Sequence, residues 1–184
     1  MMRLFVAVTP PPQALDELRS DTAAQRSARP ELRWARPDQW HLTLAFLGDV
    51  GDAARADLST RLGRTAARHP PMRLALHGAG RFGDRVLWTR VTGDVVALRG
   101  LAASVRAAAR RAGVDVEDRP YRPHLTLARA RDGADLRPVV EALAGFAGRT
   151  WTAGELHLVR SHLGAGPGRT ARYEPLASWP LTGS

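Results

Sequence analysis

The pentapeptide His-Leu-Thr-Leu-Ala occurs twice in this chain, at residues 41–45 and, 83 residues later, at residues 124–128. Polar and apolar residues that alternate with a period of two are typical of a strand with one buried face. On such a strand the two leucines enter the core, and the histidine and the threonine share the opposite face. The repeat therefore predicts two related halves, each of which places an imidazole beside a hydroxyl on a strand.

The rest of the chain alternates between helical and strand-like patterns, which indicates an α/β or α+β fold. The first helix is expected after Thr9 and the prolines that follow it, with Thr9 or a neighbour as its cap. The predicted helices are one with the apolar face Ala14, Leu15 and Leu18, one from Asp52, one from Asp94 to Gly113, and one from Leu136 to Leu143. The predicted strands are Arg3–Val8, Trp40–Leu47, Met72–His77, Val86–Val91, Arg122–Arg129 and Thr152–Val159. No Gly/Ser-rich linker divides the 184 residues, so one domain over residues 1–184 is expected.

The amino-acid composition restricts the catalytic chemistry and the cellular compartment that we expect for this chain. The chain contains no cysteine, which excludes disulfides and thiolate catalysis and is compatible with a reducing compartment. No apolar stretch is long enough to span a bilayer, and Leu4–Val8 is too short for the core of a signal peptide. We therefore expect a cytoplasmic protein without a membrane partner.

The 27 basic residues are all arginine, against 18 acidic residues, and they are spread evenly along the chain. One interpretation is that arginine simply decorates the helix surfaces. The other is a positive field that attracts polyanions, for which the planar guanidinium suits phosphate better than an ammonium group does. Charge alone thus permits a nucleic-acid substrate without requiring one.

Two imidazoles and two hydroxyls around one groove suit phosphodiester chemistry. A neutral imidazole takes a proton from the attacking oxygen and an imidazolium protonates the leaving oxygen, while threonine hydroxyls bind the non-bridging oxygens. No His-Glu-x-x-His or similar ligand cluster is present, so no metal site is expected. The glycine-rich segment 164–168 lacks the Lys-Ser/Thr pair of a phosphate-binding loop, and no cofactor is expected.

The paired His-x-Thr motifs, the opening segment 2–7, the Arg119–His124 approach to the second motif and the segment 172–176 together resemble the two-histidine (2H) phosphoesterases. More narrowly, the chain resembles the family of bacterial and archaeal RNA 2′,3′-cyclic phosphodiesterases, also called 2′-5′ RNA ligases. The resemblance implies a bilobal α+β fold with two pseudo-symmetric halves, each with an antiparallel sheet and helices, around a central groove. It also implies hydrolysis of a 2′,3′-cyclic phosphate to a 2′-phosphate without metal, with His41 as proton donor and His124 as proton acceptor.

Thr43 and Thr126 are the predicted phosphate-binding residues, and RNA 3′ ends or small cyclic nucleotides are the predicted substrates of a monomeric enzyme. Strict alternation places Arg129 and Phe46 on the leucine face, where core packing is the expected role of Phe46. A bulge at the strand end would instead turn Arg129 toward the groove, and an irregular strand would let Phe46 stack on a base. Both are therefore predicted as conditional substrate contacts.

Two other functions remain open from the sequence. The same machinery would serve a phosphodiesterase that acts on another cyclic phosphate or on a 2′-5′ linkage. A non-catalytic RNA-binding module is the alternative of a different class, and the intact histidine and threonine at all four motif positions argue against it.

Overall fold

Two antiparallel sheets carry the fold in the computed structural model, which describes residues 1–184. The nine strands are β1 (Met2–Val8), β2 (Arg33–Trp34), β3 (Leu42–Val50), β4 (Met72–Phe82), β5 (Val86–Gly93), β6 (His124–Arg129), β7 (Trp151–Ala153), β8 (Glu155–His162) and β9 (Arg172–Pro180). The four α-helices are α1 (Pro12–Ala28), α2 (Asp52–Arg68), α3 (Val95–Arg111) and α4 (Arg137–Leu143). The first sheet has the order β3-β1-β8-β9 and the second has the order β2-β6-β5-β4-β7. The predicted α+β class with two antiparallel sheets is confirmed.

The helices form where the sequence predicts them, because each has apolar residues at helical spacing. Leu58 and Leu62 of α2 and Leu98 and Leu101 of α3 are fully buried. At the start of α1 the expected cap is wrong: Pro11 occupies that position, and no side chain caps the helix. Proline tolerates this position because its missing N–H is not needed in the first helical turn. None of the four helices combines the length and the apolarity that crossing a bilayer requires.

The halves of the sequence are not the halves of the structure. Helix α1 follows β1 of the first sheet, but it packs against β4 and α4 of the second. Helix α3 follows β5 of the second sheet, but it packs against β3 and α2 of the first. We call the first sheet with α2 and α3 the first lobe, and the second sheet with α1 and α4 the second lobe. One continuous cluster of 41 buried apolar residues runs through both lobes.

Four strands differ from the sequence prediction in more than their end points. The predicted strand Thr152–Val159 is two strands separated at Gly154, with β7 in the second sheet and β8 in the first. Strands β2 and β9 were not predicted. Strand β9 contains Pro175 and Pro180 and lies at the edge of its sheet, where a missing backbone N–H is tolerated. Strand β2 has only two residues, too few to produce a periodic pattern.

Candidate active site

Strands β3 and β6 approach each other where the two sheets meet; β6 contains one copy of the repeated pentapeptide, and the other copy begins at His41, the residue before β3. The four leucines of the two copies are buried. The half-buried side chains of His41, Thr43, His124 and Thr126 lie on the opposite faces of their strands. We call the space that these four side chains bound the interlobe site. The two histidines are near enough for the charge of His124 to act on the pKa of His41.

Each imidazole is held in one tautomer by the backbone two residues before it. The Nδ1 atom of His41 lies 2.6 Å from the carbonyl oxygen of Gln39, and the Nδ1 atom of His124 lies 2.6 Å from the carbonyl oxygen of Arg122. A carbonyl oxygen only accepts hydrogen bonds, so the proton of the neutral ring is on Nδ1 in both residues. In both neutral rings the Nε2 atom therefore carries the lone pair, which is the position that can accept a proton.

The two Nε2 atoms differ in their contacts within the protein. The Nε2 atom of His41 lies 2.8 Å from the hydroxyl oxygen of Thr43, which donates a hydrogen bond to the neutral ring. No such bond to Nε2 exists at His124, whose ring bonds only to the carbonyl of Arg122. The two copies of the pentapeptide are identical, but their histidines are not equivalent. The Nε2 atom of His41 accepts a hydrogen bond from Thr43, and the Nε2 atom of His124 accepts none within the protein.

Aromatic side chains from other strands of the same sheet pack against both imidazole rings. Phe5 stacks on His41 at a centroid distance of 4.7 Å, and Tyr173 meets the same ring edge-on at 5.3 Å. Phe82 meets His124 edge-on at 4.9 Å. These three aromatic residues were not identified as site residues from the sequence, because only strand pairing brings them to the histidines. Phe5 and Tyr173 lie in the segments 2–7 and 172–176 that carry part of the family resemblance, which was the available signal for these two residues.

Burial lowers the pKa of both histidines. For His41 the loss of hydration is the largest cause; the bond to Gln39 opposes it, and the charge of His124 adds to it. For His124 burial again dominates; the bond to Arg122 opposes it, and the charge of Arg129 adds to it. Both rings therefore favour the neutral form in the free protein. A phosphate anion bound between them has the opposite effect, since a nearby negative charge stabilises an imidazolium.

A β-bulge at the same position in each pentapeptide changes the face of the residue that follows it. In β3 the register passes from Thr43 to Ala45 and leaves Leu44 without a partner, and in β6 it passes from Thr126 to Ala128 and leaves Leu127 without one. Two consecutive residues then face the core in each strand, which reverses the alternation.

Phe46 and Arg129 occupy the equivalent positions after these bulges. The expected core packing of Phe46 is wrong: the residue is 67% exposed, and its ring centroid lies 6.3 Å from that of Phe5, which itself stacks on His41. Arg129 is exposed, and its charge reaches groups of both lobes: it adds to the lowering of the pKa of His124 by burial, and it opposes the raising of the pKa of Tyr173 by burial. The bulge in β6 thus supplies the condition under which Arg129 was expected to face the site.

The remaining histidines make separate contacts. His69 bonds to the Ser104 hydroxyl at 2.9 Å, and His162 bonds to Glu174 at 2.6 Å. His157 lies 3.8 Å from Glu155, and His77 is exposed. No three His, Asp or Glu side chains come together in a way that would hold a metal ion.

Two imidazoles in fixed tautomers, one at the start of β3 and one on β6 of the other lobe, form a bilobal arrangement in which one ring can accept a proton while the other donates one. A family model described as the 2′-5′ RNA ligase superfamily matches residues 6–165. The chain belongs to this superfamily.

Similar proteins of known name or structure agree with this assignment. The RNA 2′,3′-cyclic phosphodiesterase of Escherichia coli is 32% identical over 98% of this chain and 97% of its own length. The enzyme of the same name from Geobacillus stearothermophilus is 31% identical, and the chain spans 57% of that relative's length. Among solved structures, apo E. coli LigT superposes with a TM-score of 0.76 at 31% identity over 98% of both chains. A protein from Thermus thermophilus gives a TM-score of 0.78 at 32% identity over the full length of both chains.

Proposed function

We propose that the protein hydrolyses 2′,3′-cyclic phosphates at RNA 3′ ends to 2′-phosphomonoesters, with His41 and His124 as the two proton carriers. The observation that supports the proposal is the pair of Nδ1-anchored imidazoles at two strands, β3 and β6, that approach each other where the two sheets meet. Membership of the superfamily and the printed names of the relatives support the choice of substrate.

In the proposed reaction, Nε2 of neutral His124 accepts a proton from water while the water oxygen forms a bond to phosphorus. The bond from phosphorus to O3′ breaks, and Nε2–H of protonated His41 gives its proton to O3′. The product keeps its phosphate on O2′. His124 ends the cycle protonated and His41 neutral, so proton exchange with solvent restores the starting state.

The surrounding groups bind the charge that develops on the phosphate. The hydroxyls of Thr43 and Thr126 donate hydrogen bonds to non-bridging oxygens, and the guanidinium of Arg129 adds a positive charge. In the free protein the Thr43 hydroxyl is occupied by Nε2 of His41. When the substrate anion promotes protonation of His41, that nitrogen becomes a donor and the hydroxyl is released to bind the phosphate. Substrate binding therefore prepares both the acid and its neighbouring donor.

The same site would accept a 5′-hydroxyl of RNA in place of water. His124 would then take the proton of that hydroxyl, and the product would be a 2′-5′ linkage. Every proton transfer in both reactions is assigned to side chains of this chain, and none to a metal ion or a cofactor.

The proposed working form is a cytoplasmic monomer. One chain supplies both histidines and both threonines, and the absence of cysteine fits a reducing compartment. Light scattering should therefore give a mass near 20.0 kDa at assay concentrations.

The decisive experiment uses a short oligoribonucleotide that ends in a 2′,3′-cyclic phosphate, with ³¹P NMR to identify the product. The wild-type protein should yield a 2′-phosphate. His41→Ala and His124→Ala should each lose most of the turnover, whereas His69→Ala, which removes a histidine bonded to Ser104 instead, should retain it. Binding of the oligonucleotide without turnover would indicate a binding module, and turnover only of 2′-5′ linkages would contradict the proposed substrate.

A further inference from the structure

Two exposed arginines stand directly opposite each other beside the interlobe site. Arg33 of β2 pairs in register with Arg129 of β6, so both side chains leave the same face of the second sheet. Residues directly opposed on antiparallel strands hold their Cβ atoms about 5 Å apart, and like charges in such a pair are destabilising. Neither guanidinium lies within ion-pair distance of any carboxylate in the chain, so no protein group offsets this repulsion.

Within its own segment, residues 29–38, Arg33 is the arginine that lacks a carboxylate partner. The segment contains three arginines, and Arg29 and Arg36 each pair with an acid two residues further along the chain, Glu31 and Asp38. The residue two positions after Arg33 is Ala35. The chain thus neutralises the arginine on each side of β2 and leaves the middle one unpaired.

The backbone around Arg33 fixes this arrangement. Trp34, the next residue, lies opposite buried Ala128, and its indole N–H donates to the carbonyl of Arg29 at 2.9 Å. The N–H of Ala35 bonds to the carbonyl of Leu127, the residue that the β6 bulge leaves without a partner. Strand β2 has only two residues, and these contacts hold it against β6. Its effect is to place a second free guanidinium next to Arg129.

We propose that Arg33 binds the first phosphodiester upstream of the cyclic end, so that the preferred substrate is an RNA strand and not a cyclic mononucleotide. The inference rests on the proposed function, in which Arg129 acts on the reacting phosphate. In an RNA strand the next negative charge is the neighbouring phosphodiester, and Arg33 is the unpaired cation directly opposite Arg129 on the same sheet face. Bound phosphate would also remove the repulsion between the two arginines.

The test compares two substrates in the same set of variants: a 2′,3′-cyclic mononucleotide, which has no upstream phosphodiester, and a pentaribonucleotide that ends in a 2′,3′-cyclic phosphate. Arg33→Gln should lower kcat/KM about tenfold on the pentanucleotide and leave the mononucleotide within about twofold. Arg64→Gln is the charge-matched control, because Arg64 is exposed and unpaired on α2, and it should change neither substrate. The salt dependence of pentanucleotide binding should become shallower by about 0.7 in log–log slope, the contribution of one phosphate contact on a single strand.

Each other outcome has a definite meaning. Equal loss on both substrates, or no loss on either, would overturn the inference while leaving the proposed function intact. A loss confined to the pentanucleotide in Arg90→Gln and absent in Arg33→Gln would also overturn it, since Arg90 is the unpaired arginine opposite His124 on the same face. Absence of turnover by the wild type on both substrates would contradict the proposed function instead. In that case, fluorescence anisotropy with a pentanucleotide ending in a 2′-phosphate still tests the subsite: affinity unchanged by Arg33→Gln would reject it.

The stability of the free protein separates binding from a structural role. Because Arg33→Gln removes one of two opposed like charges, its urea midpoint should be equal to or higher than that of the wild type. A lower midpoint, with loss of activity on both substrates, would show that Arg33 serves the fold and would overturn the inference.

Discussion

Replacement of Phe46 by alanine removes an exposed aromatic ring from the face of β3 that carries His41 and Thr43. The ring is 67% exposed, so folding buries only about one third of it. Full burial of a phenylalanine contributes about 1.5–3 kcal/mol, and one third of that is about 0.5–1 kcal/mol. The expected cost in free energy of unfolding is therefore small.

The expected cost in substrate recognition is larger. A base stacked on an aromatic side chain contributes about 1–3 kcal/mol, which corresponds to a loss of roughly 5- to 150-fold in kcat/KM if Phe46 stacks on the terminal base. The loss should appear mainly in KM, because stacking holds the substrate and the transition state alike. Phe46→Trp should restore most of the activity, since its larger ring also offers a stacking face.

The assay compares a 2′,3′-cyclic purine nucleotide with the same ribose cyclic phosphate lacking a base. Phe46→Ala should affect only the substrate with a base. Val96→Ala serves as the control, because it removes an apolar side chain from α3 that is also exposed, at 80%. A similar loss of kcat/KM on the substrate without a base would show that the ring acts on the histidines and not on a base. An unchanged kcat/KM on the purine substrate would refute stacking altogether.

Four further outcomes follow from the histidine pair and the arginines. If His41 is the acid, a substrate whose leaving group needs no proton should rescue His41→Ala substantially and His124→Ala little; equal rescue of both would reject the division of roles. Turnover should survive excess EDTA, because side chains carry both protons, and a loss that a divalent ion reverses would reject this mechanism. The pKa values of His41 and His124 are lowered below 6.5 in the folded state, so the unfolded chain binds more protons as pH falls below about 7. The stability that this pair contributes is then present above the pKa of unfolded histidine, about 6.5, and is lost as pH falls below it, so urea unfolding of a His41→Gln/His124→Gln variant should show a weaker decline. RNA affinity should fall steeply as the salt concentration rises, because arginine–phosphate contacts release counterions. An affinity independent of salt would show that the arginines behind the net charge of +9 do not contact RNA.

Local pattern was sufficient for most of the regular structure. The helical spacing of Leu58 with Leu62, and of Leu98 with Leu101, predicted α2 and α3 because a helix buries one face whatever it packs against. The alternation in the two pentapeptides likewise predicted which side chains are buried, as far along the chain as Thr43 in the first copy and Thr126 in the second. These predictions depend on the geometry of a single element, which adjacent residues determine.

Alternation failed one residue beyond Leu44 and Leu127, where each strand bulges. A bulge arises from the pairing of two strands, since two residues of one strand face one residue of the other. The sequence of β3 alone does not determine the register in which β1 pairs with it. The exposed position of Phe46 was therefore beyond prediction from the alternation of β3 alone.

The sequence by itself determined that two equivalent strands each carry an imidazole and a hydroxyl on one face, because period-two alternation is a property of the strand. Only the tertiary structure decided which residues surround them: Phe5 and Tyr173 around His41, Phe82 beside His124, and Arg33 beside Arg129. It also decided that α1 and α3 each pack on the lobe other than the one they follow. The physical reason is range. Alternation and helical spacing act between neighbours in the chain. Strand register, bulges and the packing of α1 and α3 on the other lobe depend on contacts between segments many residues apart, and residue spacing does not encode these contacts.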